Sequence, residues 1–212
     1  MPREFDYNSA EFESANLAER FPNWALGLGL WREFCRRLES SADFEFFLDA
    51  LAAVRSNERP RGKLPDGITR IFISHKQENW EKALRVAWLA NQVGHYFWLD
   101  ILDPTLNGTL LNPIQTACVI EMALLNCSHV IALITPESRR SRWIPYEYGR
   151  VKEPTPYTLN SACWLPTQRS DIAEYLYLGV LTQAEKDVEV WFGKPSPRNR
   201  PTAWTGPVPP PL

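Results

Sequence analysis

A parallel α/β sheet of about five strands, with helices on both faces, is the fold this chain predicts. Three observations predict it. First, the strand-like runs are near-continuously apolar, as in Ile71-Phe72-Ile73 and Val130-Ile131-Ala132-Leu133-Ile134, the pattern of strands covered on both sides. Second, these runs alternate with segments of helical period, so the strands are joined by crossovers. Third, Gly and Pro punctuate several boundaries between the segments, as at Gly94, Pro104 and Gly108.

Each element can be justified in order. Residues 1–62 read as a helical N-terminal extension. Ser9 can cap a helix carrying Phe12, Ala15 and Leu17, and Pro22 interrupts it. Leu30, Trp31, Phe34, Cys35 and Leu38 recur at three-and-four spacing, and Phe44, Phe47, Leu48, Leu51 and Ala52 form a third apolar face. These helices are too few to bury their own apolar surface, so they are expected to pack on the main domain or on another subunit. A polar, Pro- and Gly-punctuated linker follows at 57–67.

The main domain is expected over 68–192. A first strand is predicted at 68–74 and a helix through Trp80, Ala83, Leu84 and Ala87, stopped at Gly94. A second strand is predicted at 96–100, then a long, mobile loop at 101–113 and a helix at 115–125. A third strand spans 129–135. It breaks into Ser141-Arg142-Trp143-Ile144-Pro145-Tyr146-Glu147-Tyr148, where a helix must begin close to Pro145, because proline is tolerated only in a first turn. Ala162-Cys163-Trp164-Leu165 and Tyr175-Leu176-Tyr177-Leu178 read as further strands, and Thr182 as the cap of a last helix carrying Ala184, Val188 and Trp191. The tail at 193–212 holds seven prolines and is expected as extended, polyproline-like chain, either draped over a neighbour or passive.

Composition excludes several classes. The chain of 212 residues is 44% hydrophobic and 23% charged, as in ordinary globular proteins. A net charge of -2 supplies no global basic field for nucleic acid. No apolar run approaches the roughly 20 residues that cross a bilayer, and the first residues lack an apolar signal core, so neither membrane insertion nor export is expected. Cys35, Cys118, Cys127 and Cys163 form no CxxC pair, and His75, His95 and His129 show no metal-ligand spacing. Free thiols in a reducing cytoplasm are the expectation.

Candidate site residues cluster where strands end. Trp143 and Glu147 are four apart, so on a helix they share a face. Arg139, Arg140, Arg142 and Arg150 lie near in sequence, and together with the helix N-terminus they are expected to hold the Glu147 carboxyl low and ionised. Ser74, His75 and Lys76 follow the first strand, and Asp100 ends the second, at the edge where open α/β sheets bind ligands. Trp143 is read either as a stacking platform or as core, the arginines as phosphate contacts or as a solvated cluster, and Asp100 as a ribose ligand or a loop cap. His75 is read as a loop residue rather than a base, and Tyr146 and Tyr148 as packing.

In this order, three pieces carry a family resemblance. Ile71-Phe72-Ile73-Ser74-His75, then Phe97-Trp98-Leu99-Asp100, then Ser141-Arg142-Trp143 with Glu147 four residues beyond the Trp, resemble the boxes of a bacterial TIR (Toll/interleukin-1 receptor) domain. The resemblance covers somewhat more than half the chain. It implies a flavodoxin-like sheet and cleavage of NAD at the nicotinamide–ribose bond, by hydrolysis or cyclisation, with Glu147 in the catalytic position. Ser74, His75, Lys76, Asp100, Ser141, Arg142 and Trp143 would then contact substrate. NAD enters as substrate and no separate cofactor is implied. In bacteria such proteins serve anti-phage defence, often as assemblies, so a homo-oligomer or a complex with a partner effector is expected. The loop after Asp100 departs from the Arg-Asp-x-x-Pro-Gly of animal signalling members, which argues against an adaptor role. A non-catalytic TIR scaffold and a nucleoside deoxyribosyltransferase-like enzyme are the rival expectations. A receiver role for Asp100 is disfavoured, because Ser74-His75 stands where paired acids would be.

Overall fold

The computed structural model describes residues 69–103, 106, 111, 113–152, 160–166, 172–193 and 208–212. The helices expected over 1–62 and the linker at 57–67 lie outside the described residues, as do most of 104–112 and the tail up to 207.

Five parallel strands form one sheet: β1 (Arg70–Ser74), β2 (Tyr96–Trp98), β3 (His129–Leu133), β4 (Ser161–Trp164) and β5 (Val180–Thr182). Their order is β2-β1-β3-β4-β5, the flavodoxin-like arrangement. Among the described residues four helices accompany them: α1 (Trp80–Gln92), α2 (Pro113–Asn126), α3 (Trp143–Val151) and α4 (Glu185–Phe192). α1 packs with α4, and α2 packs with α3. Right-handed crossovers around this strand order put each pair on its own face. Ile71, Ile73, Val130, Ile131, Leu133 and Ala162 are fully enclosed, which is why their runs show no polar alternation.

Several expectations shift. The second strand stops at Trp98, and Asp100–Leu102 is a 3-10 turn. The start of the expected mobile loop is instead core. Ile101, Leu102 and Asp103 are buried, and the Trp98 indole N–H donates to Asp103 Oδ2 at 3.0 Å. The segment expected as the fifth strand, Tyr175–Leu178, lies in the 3-10 turn Glu174–Leu178, with Leu176 turned inward and Tyr177 and Leu178 exposed. β5 comes after it. Thr182 therefore ends a strand, its hydroxyl donating to the Cys163 carbonyl at 3.1 Å, and the Asp187 carboxylate caps α4 by accepting from the N–H groups of Gln183 and Ala184 at 2.9 and 2.8 Å. α1 ends as expected, with Gly94 at φ 78, the left-handed position that glycine takes without strain.

Behind α3 the fit is close. The Tyr148 ring is fully buried, and a Cβ placed on Gly179 would collide with its hydroxyl and fall 2.7 Å from the Ser161 carbonyl oxygen.

Candidate active site at the carboxyl rim

In an open sheet of this order, the crevice lies where neighbouring crossovers leave on opposite faces, at the carboxyl ends of β1 and β3. Ser74 is the last residue of β1, and α3 follows β3 through the 3-10 turn Glu137–Arg140. The two meet at the crevice: the Ser74 hydroxyl donates a short hydrogen bond to Glu147 Oε2, across 73 positions of sequence.

Local sequence explains the pose of α3. The Ser141 hydroxyl accepts from the N–H groups of Trp143 and Ile144 at 3.3 and 3.2 Å, covering donors that have no partner within the helix. Ser141 thus works as the helix cap, an occupation that competes with the substrate contact expected of it. Pro145, third in the helix, removes an N–H that would be unsatisfied anyway. Ile144, Glu147, Tyr148 and Val151 face inward at three-and-four spacing.

Glu147 is only 7% exposed. Burial pushes its carboxyl up to about 7, the Ser74 hydrogen bond opposes this, and the negative charge of Asp100 adds to it. The expected depression by arginines is overturned. Arg139, Arg140 and Arg142 lie on the solvent side of the rim, and Arg150 turns the other way, its Nε donating to Glu121 Oε1 at 2.9 Å. Closeness in sequence along a turn and a short helix did not become closeness in space.

Asp100 sits one strand over. Its Oδ1 accepts the N–H of Ile101 at 2.8 Å and lies 3.5 Å from His75 Nδ1. The His75 side chain is 1% exposed against 43% for Asp100, and among the described residues its Nε2 is buried without a hydrogen-bond partner. Lys76 is half-buried and leans on Glu78, Nζ to Oε1 at 3.4 Å. Ser74, His75, Asp100 and Glu147 therefore converge, with Lys76 beside them.

Trp143 does not share the burial of Glu147. It is 40% exposed and meets the ring of Tyr146 edge-to-face at 5.9 Å, so it is neither core nor an indole enclosed with the acid. Tyr146 is not simple packing either: its hydroxyl donates to Glu121 Oε2 at 2.6 Å. Tyr148 is core, as expected.

Two contributors escaped the sequence reading. Asn79 precedes α1 where a capping side chain would be read, yet its amide donates to Thr135 Oγ1 at 2.8 Å, tying the turn after β1 to the end of β3. Glu121 anchors α3 to α2 through Tyr146 and Arg150. The pairings span 56, 25 and 29 positions, so no local spacing signals them. Among the described residues, no helix is long and apolar enough to cross a membrane.

No family model, no curated protein and no solved structure matches this chain.

Proposed function

We propose that this chain is a TIR-type NAD-cleaving enzyme, releasing nicotinamide and forming ADP-ribose or a cyclic isomer of it, in the cytoplasm of a bacterial cell under phage attack. One observation carries the reading. A nearly enclosed carboxylate, Glu147, is held by Ser74 at the crevice of a flavodoxin-like sheet, with a second carboxylate, Asp100, acting on it.

An enclosed acid and an accessible one at the same rim repel each other, and a cation placed between them relieves the repulsion. NAD brings such a cation. Its nicotinamide ring carries positive charge and leaves as a neutral base, taking the electron pair of the C1′–N bond. The charge passes to the ribose as an oxocarbenium-like centre. Glu147, fixed before the reaction, stabilises that centre where it forms. Asp100, accessible at the rim, is placed to accept from ribose hydroxyls. Water or an internal nucleophile then attacks C1′, giving the linear or the cyclic product.

The exposed Trp143–Tyr146 pair and the small opening at Glu147 favour a site completed by self-association, with the aromatic pair at the interface. Incubating the full chain with NAD, with and without a crowding agent, tests the reading by mass spectrometry. Nicotinamide release is expected from the native chain. Glu147→Gln should slow it about 100-fold or more, the cost of losing one preorganised electrostatic group. No nicotinamide under either condition, at any protein concentration, removes the enzymatic reading and leaves the scaffold.

A further inference from the structure

Residues 208–212, the described end of the Pro-rich segment, contact α1 and α4, and the contacts there are built rather than incidental. Arg85 of α1 and Glu185 of α4 form a two-pronged ion pair, Nε to Oε2 at 3.0 Å and Nη2 to Oε1 at 2.5 Å. The Arg85 guanidinium stacks on the Trp88 ring, 4.2 Å from its centre. From this platform Arg85 Nη1 donates to the Pro209 carbonyl oxygen at 2.9 Å, and Glu185 Oε2 accepts the Leu212 N–H at 2.9 Å.

The spacing identifies what the platform reads. Pro209 and Leu212 are three apart, and a polyproline helix has about 3 residues per turn, so both face one side. Burial follows the same period. Pro209 is buried, Val208, Pro210 and Pro211 are exposed, and Leu212 is half-buried against the core. Pro209, Pro210 and Pro211 carry no N–H, so Leu212 is the one residue of the turn able to satisfy Glu185. The cation takes a carbonyl and the anion takes an N–H, one turn apart. A proline stretch is already extended before it docks, which lowers the ordering cost.

We propose that the α1–α4 surface is a recognition site for polyproline-type strands. Its occupant is this chain's own segment 208–212, and it selects a carbonyl followed three residues later by a non-proline N–H beneath an apolar side chain. The assignment makes residues 208–212 a latch on their own domain.

Amide hydrogen exchange on the intact chain tests it. The Leu212 N–H should exchange about tenfold more slowly, or slower still, than in a free peptide of residues 208–212. That peptide in excess should compete and restore fast exchange, whereas the same peptide with Leu212→Pro should not. Protection should be the same at all protein concentrations. Free-peptide exchange rates in the intact chain overturn the proposal, and so does equal competition by the two peptides. Protection that fades on dilution overturns the within-chain occupant, because a second copy would then be supplying the strand.

Discussion

Two carboxylates of this domain are buried to the same degree and treated oppositely. Glu121, 6% exposed, receives the Arg150 guanidinium and the Tyr146 hydroxyl. Glu147, 7% exposed, receives the Ser74 hydroxyl and faces Asp100, with no cation paired to it among the described residues. A buried acid with a guanidinium on it is a fastener, holding α3 against α2. A buried acid beside another acid is a liability for the fold, and such a group is a candidate for chemistry. Both are reached through α3, so the fastener fixes the helix that carries Glu147.

The widest separation should appear in turnover. Glu147→Gln should remove nicotinamide release about 100-fold or more, while Glu121→Gln, which keeps the shape and one acceptor, should stay within about tenfold. Comparable losses in both would erase the distinction. Stability should then move in opposite directions. The Glu147 carboxyl is raised from the ordinary 4.5 to about 7. Below about 4.5 the acid is protonated whether folded or not, and there is no penalty. As pH rises toward 7 the unfolded chain ionises and the folded one resists, so folding loses up to about 3 kcal/mol by pH 8. Glu147→Gln should recover much of that at pH 8 and none at pH 4. Arg150→Met should cost about 2–3 kcal/mol near neutrality, because it leaves Glu121 buried without its cation. Chemical denaturation of the three proteins at both pH values checks both signs.

Smaller effects sharpen the electrostatics. Turnover should rise with pH through about 7 as Glu147 ionises. Asp100→Asn removes the charge that opposes ionisation, and should move that limb to lower pH. Ser74→Ala removes the hydrogen bond that favours it, and should move the limb higher. A limb that stays put in both variants would mean another group titrates. Smallest of all, Trp143→Ala should change stability by less than about 0.5 kcal/mol, because the ring is exposed, while weakening self-association measured by sedimentation.

The architecture was readable because it rests on patterns within short windows. Short unbroken apolar runs such as Val130–Leu133 read as covered strands, and their alternation with helices points to parallel pairing. The meeting of β1's end with α3 was readable too, because the crevice of such a sheet is set by topology. What was misread depended on distances no window contains. Arg142 and Arg150 flank Glu147 in sequence, yet the helix turns one to solvent and the other to Glu121. The acid's charge was therefore judged from neighbours it does not touch. Tyr175-Leu176-Tyr177-Leu178 has strand composition, but only Leu176 finds the core, and the edge of the sheet is closed by Val180–Thr182 instead. Asp187 takes the capping role expected of Thr182 for the same reason: once β5 is placed, the cap must come from beyond it.

Gly179 gives α3 a hard stop at its rear. With φ -124, any residue could adopt its backbone, so the demand there is for empty volume alone. A lone methyl would act as a wedge driven against Tyr148, levering α3 outward and carrying the next-door acid off its mark. The position of Glu147 is thus set partly by an atom that is missing, behind the helix that carries it.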